Sequence, residues 1–201
     1  MRSMYTYIEQ APAIARDIIA HREALVGPLV EQFCGMAPKR LLIVASGSSY
    51  DIAMSMRPFM QQTLGIEVSV EWPMSYILYN HAQNDETFVL CMSQSGRSTN
   101  TIEAVRRAQA CGRHVAVLTC NPDAPMREYC EHVYAYGSGT EDYYVAKGFP
   151  TSCIYLALFA IEAARALDAR GADDCAALLS DVSAVVEDMD GVNRAARSFA
   201  E

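Results

Sequence analysis

The chain has 201 residues, 51% hydrophobic and 20% charged, with a formal net charge of −8. That length suits one domain with a full core and some chain left over for flanking helices. The acidic balance argues against a nucleic-acid partner, since phosphate backbones are gripped by basic surface, but it leaves room for a small anion held by backbone N–H groups and hydroxyls. Seven cysteines (Cys34, Cys91, Cys111, Cys120, Cys130, Cys153 and Cys175) form no C-x-x-C pair, and several sit in apolar runs such as FVLCMS. They read as free thiols packed as small hydrophobes in a reducing compartment. The N-terminus MRSMYTYIEQ has no apolar signal core, and no run approaches the roughly 18 apolar residues of a membrane span. A cytoplasmic location without a membrane partner is therefore expected.

In chain order, residues 1–35 read as a helical extension. Ile8, Ile14, Ala15, Ile18, Ile19, Leu25 and Leu29 recur at helical spacing, with interruptions expected near Pro12 and Gly27-Pro28. The period then changes. Short apolar runs at 41–45, 66–70, 87–92, 114–119 and 132–136 read as strands, with helices between them, clearest at 50–63 and 99–111. This alternation predicts an α/β fold on a five-stranded, mainly parallel sheet spanning residues 36–170. An apolar helix over 149–167 follows, and residues 171–201 form a C-terminal helix carrying Leu178, Leu179, Val182, Val185, Val186, Met189 and Val192.

Two strand ends share an unusual chemistry. LLIVA runs into Ser46-Gly47-Ser48-Ser49-Tyr50, and TFVLCM runs into Ser93-Gln94-Ser95-Gly96-Arg97-Ser98-Thr99-Asn100-Thr101. Parallel sheets bind ligands at such carboxyl ends. A glycine lets the backbone approach an anion, the next helix offers its unpaired N–H groups, and the hydroxyls of Ser48, Ser93, Ser95 and Ser98 can donate to phosphate oxygens. Each turn alone could be no more than a helix cap: Ser48 with Asp51, and Asn100 with Glu103, have capping-box spacing. Two such turns on one sheet favour phosphate binding. Neither a G-x-G-x-x-G nor a P-loop lysine pattern occurs, so no cofactor is expected, and no His/Cys/Asp spacing suggests a metal.

The remaining polar and sulfur-bearing residues give less. His21, His114 and His132 read as structural, and His81, in the polar loop YNHAQND, as a group that could reach a site across a dimer. Met54, Met56, Met60, Tyr76 and Tyr79 suit core or interface packing. Arg106 and Arg107 suit a solvated face, while Arg97 is close enough to its turn to attract phosphate.

The segments SGSSYDIA and SQSGRSTNTIEAVRRA resemble the G-C-G-T-S-Y-x-A loop and the S-Q-S-G-E-T-x-D-T-x-x-A segment of the sugar isomerase (SIS) domain family, in the form of the first SIS domain of glucosamine-6-phosphate synthases. TYIEQAPAIARD is similar to the E-Q-P helix preceding that domain, and Lys147-Gly148-Phe149-Pro150-Thr151 to its K-[AG]-[FY]-T-T helix start. The resemblance runs over roughly residues 6–167. It implies a three-layer αβα sandwich in which Gly47, Ser48, Ser49, Ser93, Gln94, Ser95 and Ser98 hold the sugar phosphate and Val145 lines the sugar through its backbone. Glu141, after a Gly-Ser-Gly turn, and Lys147 match motif positions and are the candidates for catalysis; the stretch between them is one residue shorter than the family pattern.

The activities implied are those of a phosphosugar isomerase or a fructosamine-6-phosphate deglycase, acting on a phosphorylated ketose or fructosamine. The other reading is a noncatalytic sugar-phosphate sensor. Arg2 stands where glutaminase-bearing relatives carry a nucleophilic cysteine. The last segment resembles the helix joining two SIS halves, so the chain reads as a first half or a single-domain form. Its apolar terminal helices imply a homodimer or higher homo-oligomer.

Overall fold

The five apolar runs pair into one sheet because each is long enough to cross a core and too short and too β-branched to remain a helix. The computed structural model of the chain describes residues 4–80, 86–140 and 145–200. In order, the elements are α1 (Met4–Ala20), α2 (Arg22–Met36), β1 (Arg40–Ala45), α3 (Ser48–Leu64), β2 (Glu67–Glu71), α4 (Pro73–Ser75) running into a π-helical turn (Tyr76–Asn80), β3 (Thr87–Met92), α5 (Thr99–Ala110), β4 (His114–Thr119), a 3-10 turn (Pro125–Glu128), β5 (Val133–Ala135), α6 (Gly148–Ala166) and α7 (Ala172–Ala200). His81 and Glu141 lie outside the described residues.

The strand order is β2-β1-β3-β4-β5, and every pairing is parallel. The central strands β1 and β3 run in register from Arg40 opposite Thr87 to Ala45 opposite Met92. Alternate residues feed two cores. Leu41, Ile43, Phe88, Leu90, Ala116 and Leu118 face the larger one, against α1, α2, α3, α6 and α7. Leu42, Val44, Val89, Cys91, Val115 and Val117 face the smaller one, against α5 and the two short helical turns. The alternating helices thus form the outer layers of a three-layer sandwich. At the centre of the larger core, Phe33 meets Phe88 and Phe159 edge-on, with ring centroids 5.3 Å and 5.2 Å apart.

The interruptions expected at Pro12 and Gly27-Pro28 do not occur. α1 passes through Pro12 and α2 through Pro28, and the break falls at His21 instead. Proline at position 12 removes the N–H that would have bonded the carbonyl of Ile8. Asn193 of α7 supplies a replacement, its Nδ2 donating to that carbonyl at 3.2 Å. The proline is buried and its lost hydrogen bond is made good by a tertiary one. Pairs Arg16–Asp190 (3.0 Å) and Arg197–Glu9 (2.9 Å) tie the same two helices, but both are solvated and contribute at most about 1 kcal/mol each. Among the described residues no helix is long and apolar enough to cross a membrane.

Candidate functional site

In a 2-1-3-4-5 sheet the connections leave β1 and β3 toward opposite faces, and the crevice between their carboxyl ends is where ligands bind. Both serine turns emerge at that point, from Ala45 and from Met92, which are register partners. α3, α5 and α6 all begin at this edge. The first-turn N–H groups of each helix lack intrahelical acceptors, so positive potential converges on one crevice.

The turn after β1 is loosely held. Gly47 has φ +56° and ψ −138°, a conformation close to one that only glycine adopts readily, and its carbonyl accepts from the N–H groups of Tyr50 (2.9 Å) and Asp51 (3.2 Å) to open α3. Gly47 is therefore the cap, and the expected Ser48–Asp51 capping box is absent: Ser48 lies inside the helix, so its hydroxyl makes no cap bond. Ser48 is half-buried beside the exposed Gly47, whereas Ser49 is buried. Beyond this turn Tyr50 stacks on Trp72, centroids 4.4 Å apart and planes 18° from parallel.

The turn after β3 is braced from every side. Ser93 N–H extends the sheet by donating to Leu118 O (3.0 Å), and Ser93 O accepts from Gly96 N–H (3.1 Å). The carbonyl of Gln94 accepts from Cys120 N–H (3.0 Å), from the Thr119 hydroxyl (3.2 Å) and from the Cys120 thiol. Gly96 has φ +63°, and a Cβ there would fall 2.5 Å from Ala124 Cβ and 3.0 Å from Thr119 Oγ1, so no other residue fits without displacing the backbone. The expected Asn100–Glu103 box gives way to a cap two residues earlier, Ser98, whose Oγ accepts from Thr101 N–H (3.4 Å) and Thr101 Oγ1–H (3.0 Å). Likewise Ser95 Oγ accepts from Arg97 N–H at 3.3 Å. Each serine oxygen thus accepts from the backbone of the turn, and its hydroxyl can rotate to donate to an anion.

Gln94 carries the link to the far wall. Its Nε2 donates to Ser152 Oγ (2.9 Å) and to Gly148 O (3.3 Å), drawing the start of α6 against the β3 turn. This brings Val145 and Lys147 to the same edge of the sheet. Val145 O accepts from Phe149 N–H (3.2 Å), and Lys147 O opens α6 by accepting from Thr151 N–H (3.2 Å) and Thr151 Oγ1–H (2.7 Å). Lys147 is only 5% exposed. Its Nζ lies 5.4 Å from the ring centroid of Tyr7 and next to Gly139 in the turn after β5. The wall formed by α6 is mostly buried: burial pushes the Cys153 thiol up to about 11 and raises the Tyr136 phenol well above its ordinary range.

The remaining candidates are not drawn in. His114 and His132 are exposed next to their strands, and His21 pairs with Asp17 on the surface. Arg106, expected on a solvated face, lies over the Tyr129 ring at 4.3 Å. Met60 and Tyr76 are buried in the core, while Tyr79 is exposed. Among the described residues no group of three or more His, Cys, Asp or Glu could hold a metal. Thr119, Ala124, Ser152 and Tyr7 shape the site and were not singled out in the sequence, because each reaches it only through the fold.

The family model for the SIS domain matches residues 37–166. A glutamine–fructose-6-phosphate aminotransferase of Methanothermobacter thermautotrophicus is 27% identical over 138 residues, covering 69% of this chain and 23% of that protein. The corresponding enzyme of Bordetella parapertussis is 31% identical over 103 residues, covering 50% and 17%. This chain therefore spans less than a quarter of the length of these curated relatives. Among solved structures, the C-terminal domain of the glucosamine-fructose-6-phosphate aminotransferase of Francisella tularensis superposes with a TM-score of 0.79 at 18% identity, covering 92% of this chain and 54% of that one. A chain from Bacteroides fragilis, described as a phosphosugar isomerase, superposes at 0.63 with 17% identity, covering 88% and 97%. At these identities the structures establish a shared fold. With the family pattern matched across the sheet and both serine turns, the chain belongs to the SIS domain family.

Proposed function

We propose that this chain binds a sugar phosphate as part of a phosphosugar isomerase or a fructosamine-6-phosphate deglycase. The observation that carries the reading is the meeting of two Gly–Ser turns at the β1/β3 switch point, with the Ser95 and Ser98 oxygens held by backbone N–H groups of their own turn. The phosphate sits against the α5 N-terminus and receives the hydroxyls of Ser93, Ser95 and Ser98, with the Gln94 backbone completing the cradle. The sugar extends past Gly47 and Ser48 toward the Val145 backbone, which puts its carbonyl end near Lys147. There the ammonium steadies negative charge that develops on oxygen as a proton leaves the adjacent carbon.

That reading is supported by the names of the relatives, which are aminotransferases of fructose 6-phosphate, and by the description of the Bacteroides neighbour as a phosphosugar isomerase. Among the described residues the site offers donors and a cation. The base is assigned to Glu141 or to a group from a second copy in a homodimer. The placement of the helical extension (1–35), the SIS unit (36–170) and the C-terminal helix (171–201) as separate parts is proposed with it, as is a cytoplasmic location.

Calorimetry with fructose 6-phosphate and fructoselysine 6-phosphate tests the binding. The Ser93→Ala/Ser95→Ala variant is expected to lose at least about tenfold in affinity, since hydrogen bonds to a charged group contribute about 1.5–3 kcal/mol each. Unchanged affinity would sink the proposal. Aldose phosphate as product marks an isomerase and released lysine a deglycase. Binding with no turnover favours the sensor.

A further inference from the structure

Lys147 is placed where elementary electrostatics disfavours a cation twice over. It is 5% exposed, and burying an ammonium is costly unless it is paired. It also stands at the start of α6, a 19-residue helix whose N-terminus carries positive potential of its own. Among the described residues no carboxylate lies within ion-pair distance of its Nζ; the group against it is the ring of Tyr7, at 5.4 Å from the centroid. Tyr7 is itself 2% exposed and comes from α1. That helix precedes the segment that the family pattern covers.

From this we infer that Tyr7 is a positioning residue for the sugar site: its ring stabilises the desolvated Lys147 ammonium and aims it at the carbonyl end of the sugar. The inference rests on the sugar-phosphate reading above. The attraction of a ring for a buried cation is smaller than the cost of that burial, so the contacts made by the described residues leave the ammonium open to a further electron-rich partner. A sugar oxygen that gains negative charge is such a partner. The link from Gln94 to Gly148 and Ser152 keeps the ammonium in fixed relation to the phosphate cradle, so phosphate and sugar oxygens are gripped by separate devices. The phosphate cradle does not involve Tyr7, and an effect of its ring should appear for the sugar alone.

The test is a comparison of fructose 6-phosphate with inorganic phosphate, titrated calorimetrically into the unsubstituted protein, Tyr7→Phe and Tyr7→Leu. Tyr7→Phe keeps the ring and is expected to stay within about twofold for both ligands. Tyr7→Leu is expected to lose about 3- to 10-fold for fructose 6-phosphate with inorganic phosphate unchanged. A Tyr7→Leu protein that keeps its fructose 6-phosphate affinity, or that loses both ligands in parallel, overturns the inference. Should Tyr7→Leu not fold, Tyr7→Met carries the same comparison, since a flexible apolar side chain fills the volume of the ring without its π face; equal fructose 6-phosphate affinity there overturns the inference too. Unsubstituted protein that binds neither ligand overturns the functional reading and the role of Tyr7 with it, whereas normal binding with an indifferent Tyr7→Leu overturns the role of Tyr7 alone.

Discussion

The two serine turns look alike in sequence and are built on opposite plans. The turn after β3 is locked by a threonine hydroxyl, a cysteine, an alanine methyl and a glutamine that reaches to α6. The turn after β1 rests on one glycine whose missing side chain would meet nothing within 4 Å, followed by the first bonds of its helix. A rigid cradle suits the invariant end of a ligand, its phosphate, while an adaptable rim suits the end that differs from one sugar to the next. On the proposed function, the contrast would separate affinity from selectivity between two strands.

Substitutions should respond to the two plans unequally. Gly96→Ala breaks the contrast most severely, because it adds a clash with Ala124 to a left-handed backbone. A loss of about 3 kcal/mol in urea denaturation is expected, with sugar-phosphate binding abolished. Gln94→Leu comes next. It unties α6 and leaves the fully buried Ser152 hydroxyl without that donor, at about 2 kcal/mol, and calorimetry should show weaker sugar-phosphate binding. Gly47→Ala meets open space and only backbone strain, so about 1 kcal/mol is expected, with phosphate binding kept and sugar preference altered.

The smallest effect is on Cys153, which lies beside Ser152 in the mostly buried wall behind the β3 turn. With its thiol pushed up to about 11 from the usual 9, it carries roughly 100-fold less thiolate at pH 8 than an unfolded chain, and iodoacetamide labelling should slow accordingly. Its neutral form is the one the fold prefers. That contribution to stability is intact below pH 9 and is lost as pH rises toward 11, and Cys153→Ala should flatten that decline. Fast labelling would show that the wall is wet and that the two turns are more alike than described.

The strands and both serine turns were legible in the sequence because their signals are local: apolar runs of strand length ending in glycine and serine. The helix break was misplaced because Pro12 carries a local penalty that a distant residue, Asn193, removes. Capping was misread for a related reason. Ser48 and Asn100 have the spacing, but Gly47 and Ser98 have the backbone conformation, and a cap is decided by backbone conformation. The contacts of Gly96 with Ala124, Gln94 with Ser152 and Lys147 with Tyr7 join segments far apart in the chain. No single-sequence pattern encodes them. Their glycine, glutamine and lysine were visible as motif letters, without the partners that explain them.

The helices outside the family-matched segment have a consequence for how such a module can be moved between proteins. Ala15, Ile18, Val26, Leu29 and Phe33 on one side, and Cys175, Val182 and Val186 on the other, belong to the larger core. A fusion or transplant cut at residues 37 and 166 would carry the recognisable motif but leave only α3 and α6 on one face of its sheet, with the flanks of that core open to water. The portable unit is set by what covers the sheet, and recombination that respects it would exchange α1, α2 and α7 together with the strands.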